Sequence, residues 1–106
     1  MNYTYEEIKS KVFVWFHTTV AGGTHNFTGE IIKNEKSILM IDFKFTNCTA
    51  RLTVYNPYLL PLKYVDFEIW STKENRTIHV YHDSQTTRLA DVVEQLNKSI
   101  EIGSNH

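Results

Sequence analysis

Five histidines and a single cysteine are the residues of this 106-residue chain best suited to bind a metal or move a proton, and their spacing speaks against both roles. The histidines are His17, His25, His79, His82 and His106. None belongs to a His-Glu-x-x-His pair, and Cys48 alone cannot build a zinc knuckle, which needs several thiolates. In a strand, His79 and His82 point to opposite faces because they differ by an odd number, so they cannot share an ion. Tyr81-His82-Asp83 brings acid–base groups together in sequence, but adjacency along a chain does not make a relay. No Gly-x-Ser-x-Gly nucleophile elbow occurs, and Ala21-Gly22-Gly23-Thr24 lacks the lysine of a phosphate-binding loop. Cys48 falls on the apolar side of a strand, where a thiol acts as a small buried hydrophobe. The expectation is a chain that is not an enzyme and uses no metal or cofactor.

The elements that would hold these groups follow from periodicity. Thr4 with Glu7 reads as a capping box, and Tyr5, Ile8, Val12, Trp15, Phe16 and Thr19 recur at helical steps. A helix is predicted from about Tyr5 to Thr18, stopped by Ala21-Gly22-Gly23. The period then becomes two. His25 to Ile32 reads as a first strand weakened by Gly29, with a polar turn at Lys33-Asn34-Glu35-Lys36. Leu39, Ile41, Phe43 and Phe45 mark the second strand; Cys48, Ala50, Leu52 and Val54 mark the third. After the proline-containing loop Asn56–Leu62, Val65, Phe67 and Ile69 mark the fourth, and Ile78, Val80 and His82 the fifth. A last helix, capped by Asp83 or Ser84, carries Leu89, Val92, Val93, Leu96 and Ile100 and ends at Gly103. One α+β domain is predicted over residues 1–106: a five-stranded antiparallel meander sheet with the N- and C-terminal helices packed on one face.

Two helices on one face leave the other face open. Its predicted residues are Arg51, Thr53, Tyr55, Tyr64, Asp66, Glu68, Trp70, Thr77, His79 and Tyr81. Solvent-facing strand positions favour Thr, Lys and Glu, so a tryptophan and three tyrosines here are many. Tyr, Trp and Arg dominate binding hot spots because they offer rigid contact area with a polar handle. The predicted partner-binding set is Arg51, Tyr55, Asp66, Glu68, Trp70, His79 and Tyr81. Cross-strand aromatic packing, a homodimer or a homo-oligomeric module closed through this face, and the floor of a small-ligand site are alternatives to a protein partner. The Asn56–Leu62 loop, with Tyr58, Leu59 and Leu60, either folds over the core edge or projects as a binding tip.

Composition bounds the rest. Hydrophobic residues are 42% and charged residues 22% of the chain, which is globular rather than disordered. A net charge of −1 lacks the basic excess of a nucleic-acid binder. With one cysteine there is no internal disulfide. The opening residues resemble no signal peptide and no apolar run is long enough to span a bilayer, so a cytoplasmic protein is expected. On that expectation the Asn-x-Ser/Thr triplets at Asn2, Asn26, Asn47, Asn75 and Asn97 are coincidental.

The stretch Ala50-Arg51-Leu52-Thr53-Val54-Tyr55, then Asp66-Phe67-Glu68-Ile69-Trp70 and Thr72-Lys73-Glu74, then a closing amphipathic helix, resembles small bacterial immunity proteins of polymorphic toxin systems, in particular the TriTu type. In those proteins an R-[IL]-T-[VL]-[WY] strand precedes an acidic D-x-E strand and a final helix. The likeness spans roughly the second half of the chain. It implies a cytoplasmic inhibitor that docks on a cognate protein toxin and occludes its active site. TriTu-type partners are ADP-ribosyltransferases, so a toxin of that class is the partner the resemblance implies. Trp70, Tyr55 and Tyr81 would then serve as anchors, Asp66 and Glu68 would meet basic toxin groups, and Arg51 and His79 would add donors.

Overall fold

A computed structural model describes residues 2–20, 26–56 and 63–106. The predicted stop at Ala21-Gly22-Gly23, His25 and the loop residues 57–62 lie outside them. Helix α1 (Tyr5–Trp15) opens with both halves of the capping box: Glu7 N–H donates to Thr4 Oγ1 at 3.2 Å, and Thr4 N–H donates to Glu7 Oε1 at 2.9 Å. The helix widens into one π-type turn at Phe16–Val20, so Thr19 leaves the apolar stripe and is exposed. Five strands follow, β1 (Thr28–Glu35), β2 (Ile38–Lys44), β3 (Cys48–Tyr55), β4 (Val65–Ser71) and β5 (Arg76–His82), and then helix α2 (Leu89–Asn105). They form one antiparallel sheet in the order β1-β2-β3-β4-β5. The predicted α+β meander is the observed fold.

Both helices press on the same sheet face. Ile8 and Val12 of α1 and Val92 and Leu96 of α2 share a fully buried core with Leu39, Ile41, Leu52, Val54, Val65, Phe67 and Ile69. Each such side chain contributes about 1.5–3 kcal/mol by leaving water. Rings fill the wider end, where Phe43 stacks on Phe67 at 5.6 Å and Phe16 meets Phe43 edge-on. The Trp15 indole N–H donates to Asn97 Oδ1 at 2.8 Å and ties the two helices together.

Four local expectations are corrected. β1 runs three residues further than predicted, to Glu35, because an extra residue, Ile32, is accommodated in a bulge between Ile31↔Ile41 and Lys33↔Met40. The polar segment read as a turn therefore ends a strand, and the turn shrinks to Lys36-Ser37. Second, α2 starts at Leu89, behind Arg88, which makes no side-chain cap. Asp83, the predicted cap, instead accepts Tyr64 N–H at 2.9 Å and Val65 N–H at 2.8 Å. Third, Gly103 lies inside α2 rather than after it, and a Cβ there would stand 2.7 Å from the Phe45 ring. It is a glycine of close approach, not of chain reversal.

The fourth correction concerns β5. The Thr72–Asn75 turn, with Asn75 in the left-handed region, pairs Ser71 with Arg76 and Trp70 with Thr77. That register, continued, would place Ile78, Val80 and His82 on the helix side, as their apolar alternation predicts. A bulge at Ile78 intervenes, and the next pairs are Ile69↔His79 and Phe67↔Tyr81. Every later β5 side chain is thereby turned to the opposite face. Ile78 keeps a partial core contact from the bulge, and the larger Tyr81 replaces Val80 against the core.

Candidate functional site

Among the described residues no helix covers the second face of the sheet, and alternation makes its rows readable. One row crosses all five strands as Thr28, Lys44, Thr49, Trp70 and Thr77. The next runs Glu30, Asp42, Arg51, Glu68 and Val80, and the third Lys33, Met40, Thr53, Asp66 and His82. The predicted phase of β4 holds, since Val65, Phe67 and Ile69 are completely buried while Trp70 is 42% exposed. Arg51, Tyr55, Asp66, Glu68 and Trp70 of the predicted set share this open face.

The other two predicted residues do not. His79 and Tyr81 face the helices because of the β5 bulge. His79 Nε2 lies 2.9 Å from Ser99 Oγ on α2, and Ser99 in turn donates to Gln95 O at 2.8 Å. The serine proton is thus committed to the carbonyl, so Nε2 carries the hydrogen and donates to Ser99. Burial lowers the His79 pKa below its ordinary 6.5. The Tyr81 hydroxyl is buried without a hydrogen-bond partner among the described residues, and burial, then Asp83 and Asp91, pushes its pKa up to about 12. Tyr64, also expected on the open face, is buried between Tyr3 and Tyr5 at ring separations of 6.1 Å. It precedes the first residue of β4, so strand alternation does not extend to it.

The open face is partly self-neutralised. Arg51 grips Asp42 through Nε at 2.7 Å and a terminal nitrogen at 2.9 Å, a bidentate cross-strand pair. Asp66 Oδ1 is buried and makes no hydrogen bond among the described residues, with His82 Nδ1 3.3 Å away at ion-pair distance only. The same His82 nitrogen lies 3.2 Å from Lys63 Nζ. Since lysine only donates, Nδ1 either accepts from Lys63 when neutral or faces Asp66 when protonated. Glu68 and Glu30, by contrast, have no ion-pair partner among the described residues.

Between β1 and β4 the twisted face forms a shallow open hollow of about 640 Å³. Arg51 and Asp42 lie on its floor, Trp70 and Glu68 at one side, Ile32 and Glu30 at the other. Ile32 is 43% exposed and, beside the hollow on β5, Val80 is 45% exposed. Sequence reasoning missed both: Val80 owes its position to the β5 bulge, and Ile32 sits at the bulge of a strand whose faces were not assigned from sequence. Among the described residues no group of His, Cys, Asp and Glu is arranged to hold a metal ion, and no helix is long and apolar enough to cross a membrane. Cys48 is buried, and burial pushes its thiol pKa up, as expected for a core residue.

No protein-family model, curated protein or solved structure matches the chain.

Proposed function

We propose that this chain is a non-catalytic, cytoplasmic immunity-type inhibitor that docks its open sheet face on a cognate protein toxin and blocks access to the toxin's active site. The observation that carries the reading is the uncovered Trp70 beside the unpaired Glu68, at the rim of a hollow flanked by exposed Ile32 and Val80. Large rigid apolar groups ringed by charge are the make-up of a docking hot spot, and a carboxylate there complements the basic groups with which many enzymes hold anionic substrates. The resemblance of the β3–β4–α2 segment to TriTu-type immunity proteins points to a toxin, an ADP-ribosyltransferase in that type.

The test is co-expression with a toxin domain taken from the genes that flank this one; flanking genes that encode no toxin count against the reading. Protection of growth and co-purification support the reading. Trp70→Ala is expected to weaken both with only a small fall in melting temperature, because the indole is 42% exposed and lies outside the buried core. Protection that survives Trp70→Ala and Glu68→Lys together refutes the docking face.

A second reading uses the same surface: the apolar face closes on a second copy of the chain across a two-fold axis. Exposed Ile32, Trp70 and Val80 on one face favour it. Sedimentation showing a monomer at hundreds of micromolar eliminates it.

A further inference from the structure

We infer that the Glu68–Trp70 side of the hollow is a receptor for an arginine side chain presented by a protein partner; the inference rests on the docking reading and specifies the chemistry it uses. The row Glu30–Asp42–Arg51–Glu68 places three carboxylates beside one guanidinium across four strands. Arg51 commits Nε and one of its two terminal nitrogens to Asp42 in a bidentate pair, so its charge is matched there. Glu68, opposite Arg51 on the neighbouring strand, is left without an ion pair among the described residues.

The surroundings of Glu68 select for a planar cation. Trp70 stands two residues along the same strand, about 7 Å away, and presents an exposed indole on the same face. Exposed Val80 is the direct cross-strand neighbour on the other side. A guanidinium stacked on the indole can still donate edge-on to the Glu68 carboxylate, whereas an ammonium has no plane to stack. Lys44, the lysine that lines the hollow, stands two strands from Trp70, between Thr28 and Thr49, and forms no ion pair with Glu68 among the described residues.

The hollow's shape decides between a free small cation and a side chain. Ligand sites enclose most of a small molecule's surface, and this hollow is shallow and open to one side. An arginine arriving on a partner needs no such enclosure, because Ile32 across the hollow and Val80 beside Glu68 bury the partner's neighbouring surface.

The test is an amide NMR titration of the whole ¹⁵N-labelled chain with the peptide acetyl-Gly-Arg-Gly-amide, alongside the same peptide carrying citrulline, which keeps the shape and removes the charge. Saturable shifts of the Trp70 indole N–H and of the Glu68 and Val80 amides are expected with arginine and not with citrulline. Glu68→Gln and Trp70→Ala should each weaken the arginine response by roughly threefold to tenfold. Equal responses to the two peptides, shifts mapping elsewhere, or an unchanged response in Glu68→Gln overturn the inference. The two proposals fail separately: a toxin captured through Trp70 with no arginine preference keeps the docking face and removes this receptor. A Glu68-dependent arginine response without toxin capture keeps the receptor and removes the immunity reading.

Discussion

The Tyr3 hydroxyl donates to Asp83 Oδ2 at 2.6 Å, joining residues 80 positions apart at a buried site where the chain passes from β5 towards α2. The other carboxylate oxygen of Asp83 takes the backbone N–H groups of Tyr64 and Val65. One side chain thus fastens the start of the chain, the start of β4 and the end of β5. Burial, then the bond to Asp83, raises the Tyr3 hydroxyl far above the normal tyrosine range, so this donor never ionises in working conditions.

Removing the two members of this pair should therefore have unequal effects. Tyr3→Phe loses one charge-assisted hydrogen bond and is expected to cost about 1–3 kcal/mol. Asp83→Ala strands two backbone donors as well as the Tyr3 hydroxyl and is expected to cost more, about 3–5 kcal/mol. Urea unfolding of both single variants and the double variant measures their coupling; strict additivity would show that the bond contributes nothing.

Gly103 offers a test of close approach. In an ordinary helix interior, Gly→Ala stabilises by up to about 1 kcal/mol. Here the new methyl would meet three atoms of the Phe45 ring at 2.7–3.0 Å, and Phe45 is itself buried. Gly103→Ala is expected to lower stability by about 1–3 kcal/mol instead. Phe45→Leu should be less harmful in the Gly103→Ala background than alone, since it makes room for the methyl.

The His79 imidazole predicts the sign of a pH effect. Its folded pKa lies below 6.5, so the unfolded chain binds the proton more readily than the native one. Stability from this residue is intact above pH 6.5, falls as the pH drops through that value, and stops falling below the depressed folded pKa. Chemical unfolding between pH 7.5 and 5 should show a decline that is smaller in His79→Gln, which retains a donor toward Ser99. Parallel curves for the two proteins would refute the assignment.

Cys48 is buried, with its thiol held protonated, so native protein should resist alkylation at neutral pH. Labelling by iodoacetamide is expected only through opening of the β2–β3 end of the core, at a rate that climbs with urea. Labelling of native protein as fast as a free thiol would place Cys48 at the surface.

The local pattern carried most of this fold. Parity along a strand assigns a side chain to one face or the other without any knowledge of its neighbours, which is why Leu39, Leu52 and Phe67 could be placed inside and Arg51, Glu68 and Trp70 outside from residue order alone. Helical spacing likewise placed Ile8, Val12, Val92 and Leu96 against the sheet. What parity cannot contain is an extra residue. The bulges at Ile32 and Ile78 arise where strand pairing and core filling compete, and that competition involves partners far away in sequence. The second bulge moved His79 and Tyr81 under α2 and brought Val80 out. Charge pairing is equally non-local: Asp42 and Asp66 looked like Glu68 in sequence, yet Arg51 from the next strand neutralised one, and His82 and the surrounding chain covered the other. Residue order thus determined which face is open, while the assembled sheet decided which of its carboxylates remains free, because a free charge is defined by the distances to every other charge around it.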